Sequence, residues 1–216
     1  MGQMTRPLLL GHRGARASRE IPENTLESFE LCLQHGCDGF EFDVRRAADG
    51  VAAICHDPVI RGLQIERTLA DRLALPTLED VLERFSARAF LDIELKVTGL
   101  EMQLIAALRA HPPGKGFVVS SFLPEVLTAV SGLDKSIPLG FLFDQPNQVQ
   151  PAGMTVEWMI PHFTLVTREL VEDVHGSGRK MMTWTVNRAD EMTQFAAWGA
   201  DAIISDDTEL LVRTFR

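Results

Sequence analysis

Hydrophobic positions along the chain recur at two alternating periods. Leu8-Leu9-Leu10-Gly11 reads as a first strand. Leu26, Phe29 and Leu33 then follow at spacings of three and four, the stripe of a helix; Asn24 and Glu27 read as its capping pair and Gly36 as its stop. From Gly39 to Val44 the period drops to two, with Phe40, Phe42 and Val44 on one face and Glu41 and Asp43 on the other. Ala48-Asp49-Gly50-Val51 is a hairpin signal, too short for the crossover that a further parallel strand needs. With Asp49 and Gly50 as the turn, Ala48 faces Val51 and Asp43 faces His56. After a helix start at Pro76-Thr77-Leu78, Phe90 to Val97 alternates again, setting Asp92, Glu94 and Lys96 opposite Leu91, Ile93, Leu95 and Val97.

The alternation continues to the end. Helix Leu100 to His111, strand Phe117 to Ser121, helix Pro124 to Val130 and strand Leu139 to Phe143 come next, and a Pro- and Gln-rich stretch, Asp144 to Gly153, stands in for the fifth helix. Strands Trp158 to Pro161, Met181 to Val186 and Ala202 to Ser205 complete a count of eight, with helices starting near Thr167, Ala189 and Thr208. Strands alternating with helices predict a wound parallel sheet, and eight of them predict one α/β domain over residues 1–216, a (β/α)8 TIM barrel with a short hairpin and insertion after the second strand. Residues 57–76 form that compact insertion and, with Ile60, Leu63, Ile65 and Leu69, read as a small lid. Such barrels keep their chemistry at the C-terminal strand ends, where His12, Glu41, Asp43, Glu94, Lys96 and Trp184 fall.

Composition narrows the range of partners. The 216 residues sum to a formal charge of −9, which disfavours nucleic acid and anionic membrane surfaces and requires local cations to draw in an anionic substrate. Cys32, Cys37 and Cys55 form no CxxC pair and read as small buried hydrophobes in a reducing compartment. No apolar run reaches spanning length and no secretory leader is evident, so a cytoplasmic protein without stable membrane insertion is expected. The oligomeric state is not written in these features.

Three inward carboxylates on neighbouring strands, Glu41, Asp43 and Glu94, repel one another unless a cation or protons intervene. All-oxygen ligands suit one divalent cation, Mg²⁺ or Ca²⁺; the alternative is an acid network satisfied by Arg13, Arg45 and Lys96. His12 and His56 titrate near neutrality and suit proton transfer. Arg13 offers a planar fork and Lys96 a mobile point charge for phosphate oxygens, or each forms an ordinary salt bridge. Glu23 reads as an orienter of Arg13 or His12, and Asn24 chiefly as a helix cap. Trp184 stands where it walls a pocket or fills the barrel. His162, at the end of the sixth strand, is a weaker candidate for substrate contact, and His35, His111 and His175 lie at helix ends, where a cation suits the dipole.

The ordered series Gly11-His12-Arg13-Gly14, Pro22-Glu23-Asn24-Thr25, Glu41-Phe42-Asp43, His56-Asp57 and Glu94-Leu95-Lys96 resembles the glycerophosphodiester phosphodiesterase family. Trp184-Thr185-Val186-Asn187 and Ile203-Ile204-Ser205-Asp206 resemble that family's seventh and eighth strands, so the likeness spans nearly the whole chain. It implies metal-dependent hydrolysis of a small glycerophosphodiester to sn-glycerol 3-phosphate and an alcohol, with His12 and His56 as the acid/base pair and Trp184 against the glycerol. A lysophospholipase D on the same barrel and a non-catalytic phosphate-binding barrel are the alternatives; a sugar isomerase or a Lys96 Schiff-base aldolase needs no such histidine pair. Family members usually have a longer insertion after His-Asp. A short one implies an alcohol left partly in solvent and weak discrimination among head groups.

Overall fold

The computed structural model describes residues 6–146, 148 and 154–216. The first elements are β1 (Leu8–His12), α1 (Leu26–His35), β2 (Gly39–Arg46) and β3 (Ala52–Ile54). An insertion follows, made of β4 (Val59–Ile60), β5 (Leu63–Gln64), a 3-10 turn (Ile65–Arg67) and α2 (Ala70–Leu73). Then come α3 (Leu78–Phe85), β6 (Phe90–Leu95), α4 (Glu101–Ala110), β7 (Phe117–Ser121), α5 (Pro124–Leu133), β8 (Leu139–Phe143) and β9 (Trp158–Pro161). The chain ends with α6 (Arg168–Gly176), β10 (Lys180–Thr183), α7 (Ala189–Trp198), β11 (Ala202–Ser205) and α8 (Thr208–Thr214).

Eight parallel strands run β1-β2-β6-β7-β8-β9-β10-β11, and β11 pairs back onto β1, so the sheet closes into a TIM barrel. Of the stretch Asp144 to Gly153, residues 147 and 149–153 lie outside the described residues; among the described ones β8 leads to β9 without a helix. The outward apolar faces of the strands meet the helices, as where Phe29 of α1 stacks on Phe40 of β2 with centroids 4.3 Å apart. Inside the barrel Leu10, Val118, Leu142, Ile160 and Ile204 fill the lower layers. Above them the inward positions turn polar. Gly39 makes this register possible, because a Cβ there would meet the Phe90 carbonyl oxygen at 1.8 Å.

Two local expectations are corrected. Thr25, not Asn24, caps α1: its Oγ1 accepts the Ser28 N–H at 3.2 Å. Asn24 instead takes the left-handed conformation (φ 57°), which asparagine tolerates, and its side chain serves the barrel mouth. The hairpin register is shifted by one. Ala47 N–H bonds to the Val51 carbonyl at 2.9 Å, leaving Ala48, Asp49 and Gly50 as a three-residue loop with Gly50 at φ 85°. Cys55 therefore opposes Asp43, its N–H 3.0 Å from the Asp43 carbonyl, and His56 lies one step past that pairing. The insertion packs Ile65 and Leu73 against Ala47, Ala53 and Cys55 of the hairpin in a small core of its own.

Candidate active site

Parallel register builds the barrel mouth in layers. His12 lies level with Glu41 and Glu41 with Asp92; one layer higher, Asp43 lies level with Glu94. Carboxylate oxygens of Glu41, Asp43 and Glu94, all buried, come within 4.8 Å of one another. Lys96, just past β6, brings its Nζ 2.9 Å from Asp43 Oδ1 and 2.5 Å from Glu94 Oε1. Asn24 donates to Asp43 Oδ2 at 2.7 Å and accepts the Asp43 N–H at 3.3 Å, and Arg13 Nε stands 3.2 Å from the same carboxylate. Glu41 Oε2 accepts the Arg13 N–H at 3.0 Å, while Glu41 Oε1 is buried with no hydrogen-bond partner. One ammonium and one guanidinium thus face four buried acids, Asp92 included.

The electrostatics follow from that imbalance. Burial, with repulsion from Asp43 and Glu94, holds the Glu41 carboxyl well above the ordinary carboxylate range. Burial and Asp43 push Glu94 up to about 7 against the pull of Lys96. Asp92, bonded by Ser120 Oγ at 2.6 Å, is likewise pushed up to about 7 by burial and by Glu94. Asp43 goes the other way: burial would raise it, but Lys96, Arg13 and Asn24 together hold it below its usual value. A cluster that keeps protons at neutral pH while an oxygen lacks any donor has the donor chemistry of a hard-cation site.

Both histidines reach this cluster from its rim. His12 Nδ1 lies 2.7 Å from Asp206 Oδ1, and its Nε2 faces Glu41 Oε2 at 3.9 Å. His56 Nδ1 lies 2.8 Å from Asp57 Oδ1; burial lowers the imidazole's pKa although Asp57 opposes the shift. Arg13 Nη1 donates to Glu23 at 2.7 Å, so Glu23 orients Arg13 and not His12. Arg45 does not join the acids; its Nε donates to the His56 carbonyl at 2.6 Å. Trp184 donates Nε1–H to the Ile160 carbonyl at 3.1 Å and meets Phe122 edge to face, 5.5 Å between centroids. His162 packs on Trp184 from behind and its Nδ1 is held by Thr164 Oγ1 at 2.7 Å. His12, Arg13, Glu41, His56, Glu94, Lys96 and Trp184 line one cavity of about 160 Å³.

The sequence reading assigns no role to Asp206, Asn187, Arg16 or Phe122. Asp206 accepts from Asn187 at 2.7 Å and from Arg16 at 3.0 Å besides facing His12, and these partners outweigh burial and hold it far below the ordinary range. Arg16 also bonds Glu23, so one chain of charges ties the ends of β1 and β11 to the Pro22–Thr25 loop. Phe122 follows β7 directly, and its ring lies 5.8 Å from Lys96 Nζ.

A sequence profile of the glycerophosphoryl diester phosphodiesterase family matches residues 12–84 and 61–210. The chain belongs to this family. It is therefore a phosphoric diester hydrolase. A glycerophosphodiester phosphodiesterase of Caldanaerobacter subterraneus subsp. tengcongensis is 30% identical over 97% of this chain and 98% of its own length. Another, from Bacillus subtilis, is 26% identical over 95% and 85%. Among solved structures, the glycerophosphodiester phosphodiesterase of Thermotoga maritima superimposes with a TM-score of 0.84 at 23% identity, covering 97% of this chain and 98% of that one. A phosphodiesterase of Oleispira antarctica, solved with its product sn-glycerol-3-phosphate, gives 0.84 at 24% identity, covering 97% and 96%. No helix among the described residues is long and apolar enough to cross a membrane.

Proposed function

We propose that this family member hydrolyses small glycerophosphodiesters to sn-glycerol 3-phosphate and an alcohol, with His12 and His56 dividing the proton transfers. The observation that supports this most is the cavity of about 160 Å³ that sets both imidazoles, Arg13 and Lys96 around a buried three-carboxylate cluster. Glu41, Asp43 and Glu94 hold one divalent cation, Mg²⁺ or Ca²⁺, which when bound offsets charge developing on the phosphate oxygens. Arg13, fixed by Glu23, and Lys96, on its flexible stem, bind the phosphate from two sides. One histidine takes the proton of the attacking hydroxyl or water; the other gives a proton to the alkoxide as its P–O bond breaks. Trp184 and Phe122 wall the glycerol. Three free, buried cysteines support a reducing, cytoplasmic setting.

The substrate assignment is tested by assaying glycerophosphocholine, glycerophosphoethanolamine, glycerophosphoglycerol and lysophosphatidylcholine side by side. Glycerol 3-phosphate is expected from the first three. A rate on the lysolipid exceeding all of them would move the enzyme to the lysophospholipase D class, for which a cavity this small gives no support.

The cation assignment has a readout apart from activity. Glu94, raised to about 7 in the cation-free protein, holds a proton below neutrality and loses it above. Cation and proton compete for it, so affinity should fall as pH falls. At about pH 8 a hundredfold excess of cation over its Kd stabilises by about 2.7 kcal/mol, a rise in Tm of roughly 5–10 °C for a chain of this size. At about pH 6 and the same concentration the rise should shrink clearly. An equal rise at both values would show that the cation does not displace this proton.

A further inference from the structure

A second cavity, of about 320 Å³, opens beside the first, between the Pro22–Thr25 loop and the insertion. Its apolar wall comes from Pro22, Ile60 and Leu75, and its polar wall from Glu23, Asp57 and Arg61. His56 lines both cavities. The residue is held on either side, by the Arg45 bond to its carbonyl and by the ladder bond from Cys55 to Asp43. Its ring, bonded through Nδ1 to Asp57, thus stands between the two spaces.

A phosphodiester has two ends, and the first cavity is floored by Leu142 and Ile204 and walled by Phe122 and Trp184. At about 160 Å³ it has room for the phosphate and one small end. With the phosphate over the carboxylates and one end filling the first cavity, the space for the other end that shares a wall with it is the one on the far side of His56. We propose that the second cavity receives the leaving alcohol of the diester, with Ile60 and Leu75 setting how large an alcohol is accepted. This rests on the phosphodiesterase reading above and names the part of the substrate that the insertion contacts.

The chemistry of the walls defines the class of alcohol. The volume lies near the lower edge of small-molecule sites, roughly 300–1,000 Å³, which suits a compact alcohol of glycerol or choline size. The charged wall groups are already engaged: Glu23 with Arg13 and Arg16, Asp57 with His56, and Arg61 with the Leu73 carbonyl. Recognition therefore falls to apolar shape more than to charge, and shape alone separates close analogues by roughly 10–200-fold. Weak discrimination among head groups remains the expectation, now with the alcohol enclosed by the insertion in place of one left partly in solvent.

The test compares kcat/KM for glycerophosphocholine and for the methyl ester of glycerol 3-phosphate in wild type, Ile60→Trp and Ile60→Ala. Ile60 is only partly buried and packs against the small core that the insertion shares with the hairpin. Ile60→Trp should lower the choline/methyl ratio by roughly 10-fold or more, the scale at which a filled pocket discriminates, with the methyl ester nearly unchanged. Ile60→Ala should shift preference toward alcohols bulkier than choline, which decides the matter if the tryptophan variant does not fold. A ratio unchanged in both variants, with wild type active on both esters, overturns the proposal and leaves the enzyme's function standing. Wild type that releases glycerol 3-phosphate from neither ester overturns both.

Discussion

His56→Ala is expected to lower kcat by roughly two to four powers of ten, the scale of losing a general acid or base, while the circular dichroism spectrum and Tm stay near wild type. The fold should tolerate the change, because the ring's hydrogen bond goes to the exposed Asp57 and its backbone is held independently by Arg45. His12→Ala should match it in kcat. There the ring is buried against Asp206, but that carboxylate keeps Asn187 and Arg16 as partners after the ring is removed. Pre-steady-state kinetics separates a slowed chemical step from a binding defect. Near-wild-type turnover in His56→Ala would remove that residue from the mechanism and leave the proton transfers to His12 and solvent.

Glu94→Gln and Glu41→Gln are expected to abolish the cation-dependent rise in Tm and to cost roughly three powers of ten in kcat. A Lewis-acid cation contributes several kcal/mol, and each ~1.4 kcal/mol is tenfold. Asp92→Asn is the control from the same strand. Asp92 is buried and, like Glu94, pushed up to about 7, yet its Oδ1 is bonded by Ser120 and it lies outside the trio of converging oxygens. The cation-dependent shift should survive in that variant. If Asp92→Asn removes the shift and Glu94→Gln keeps it, the cation belongs one layer lower in the barrel.

Much of this site was legible because strand periodicity is short-ranged. The alternation in Gly39–Val44 and Phe90–Val97 alone turns Glu41, Asp43, Glu94 and Asp92 toward one axis, and that is where they lie. What escaped depends on contacts that local pattern does not encode. Asn24 reads as a cap by composition, but Thr25 can cap equally well, and the Asn24 amide is drawn to a carboxylate on the next strand. An Asp-Gly pair suits a two-residue turn, yet Gly50 at positive φ closes a three-residue loop just as readily, so the register shifted by one. The His12–Asp206 contact spans 194 positions and exists only because the last strand closes on the first. Closure was the expectation that could have revealed it, since residues ending the first and eighth strands of a barrel must be neighbours.

The central claim is that a divalent cation held by Glu41, Asp43 and Glu94 is required for diester hydrolysis at this barrel mouth. The most direct measurement is glycerol 3-phosphate release from glycerophosphocholine by chelator-stripped wild-type enzyme, before and during titration with Mg²⁺ or Ca²⁺. The stripped enzyme should release a negligible amount and recover activity that saturates at one bound ion per chain, with no recovery in Glu94→Gln. Full activity in the stripped enzyme would contradict it.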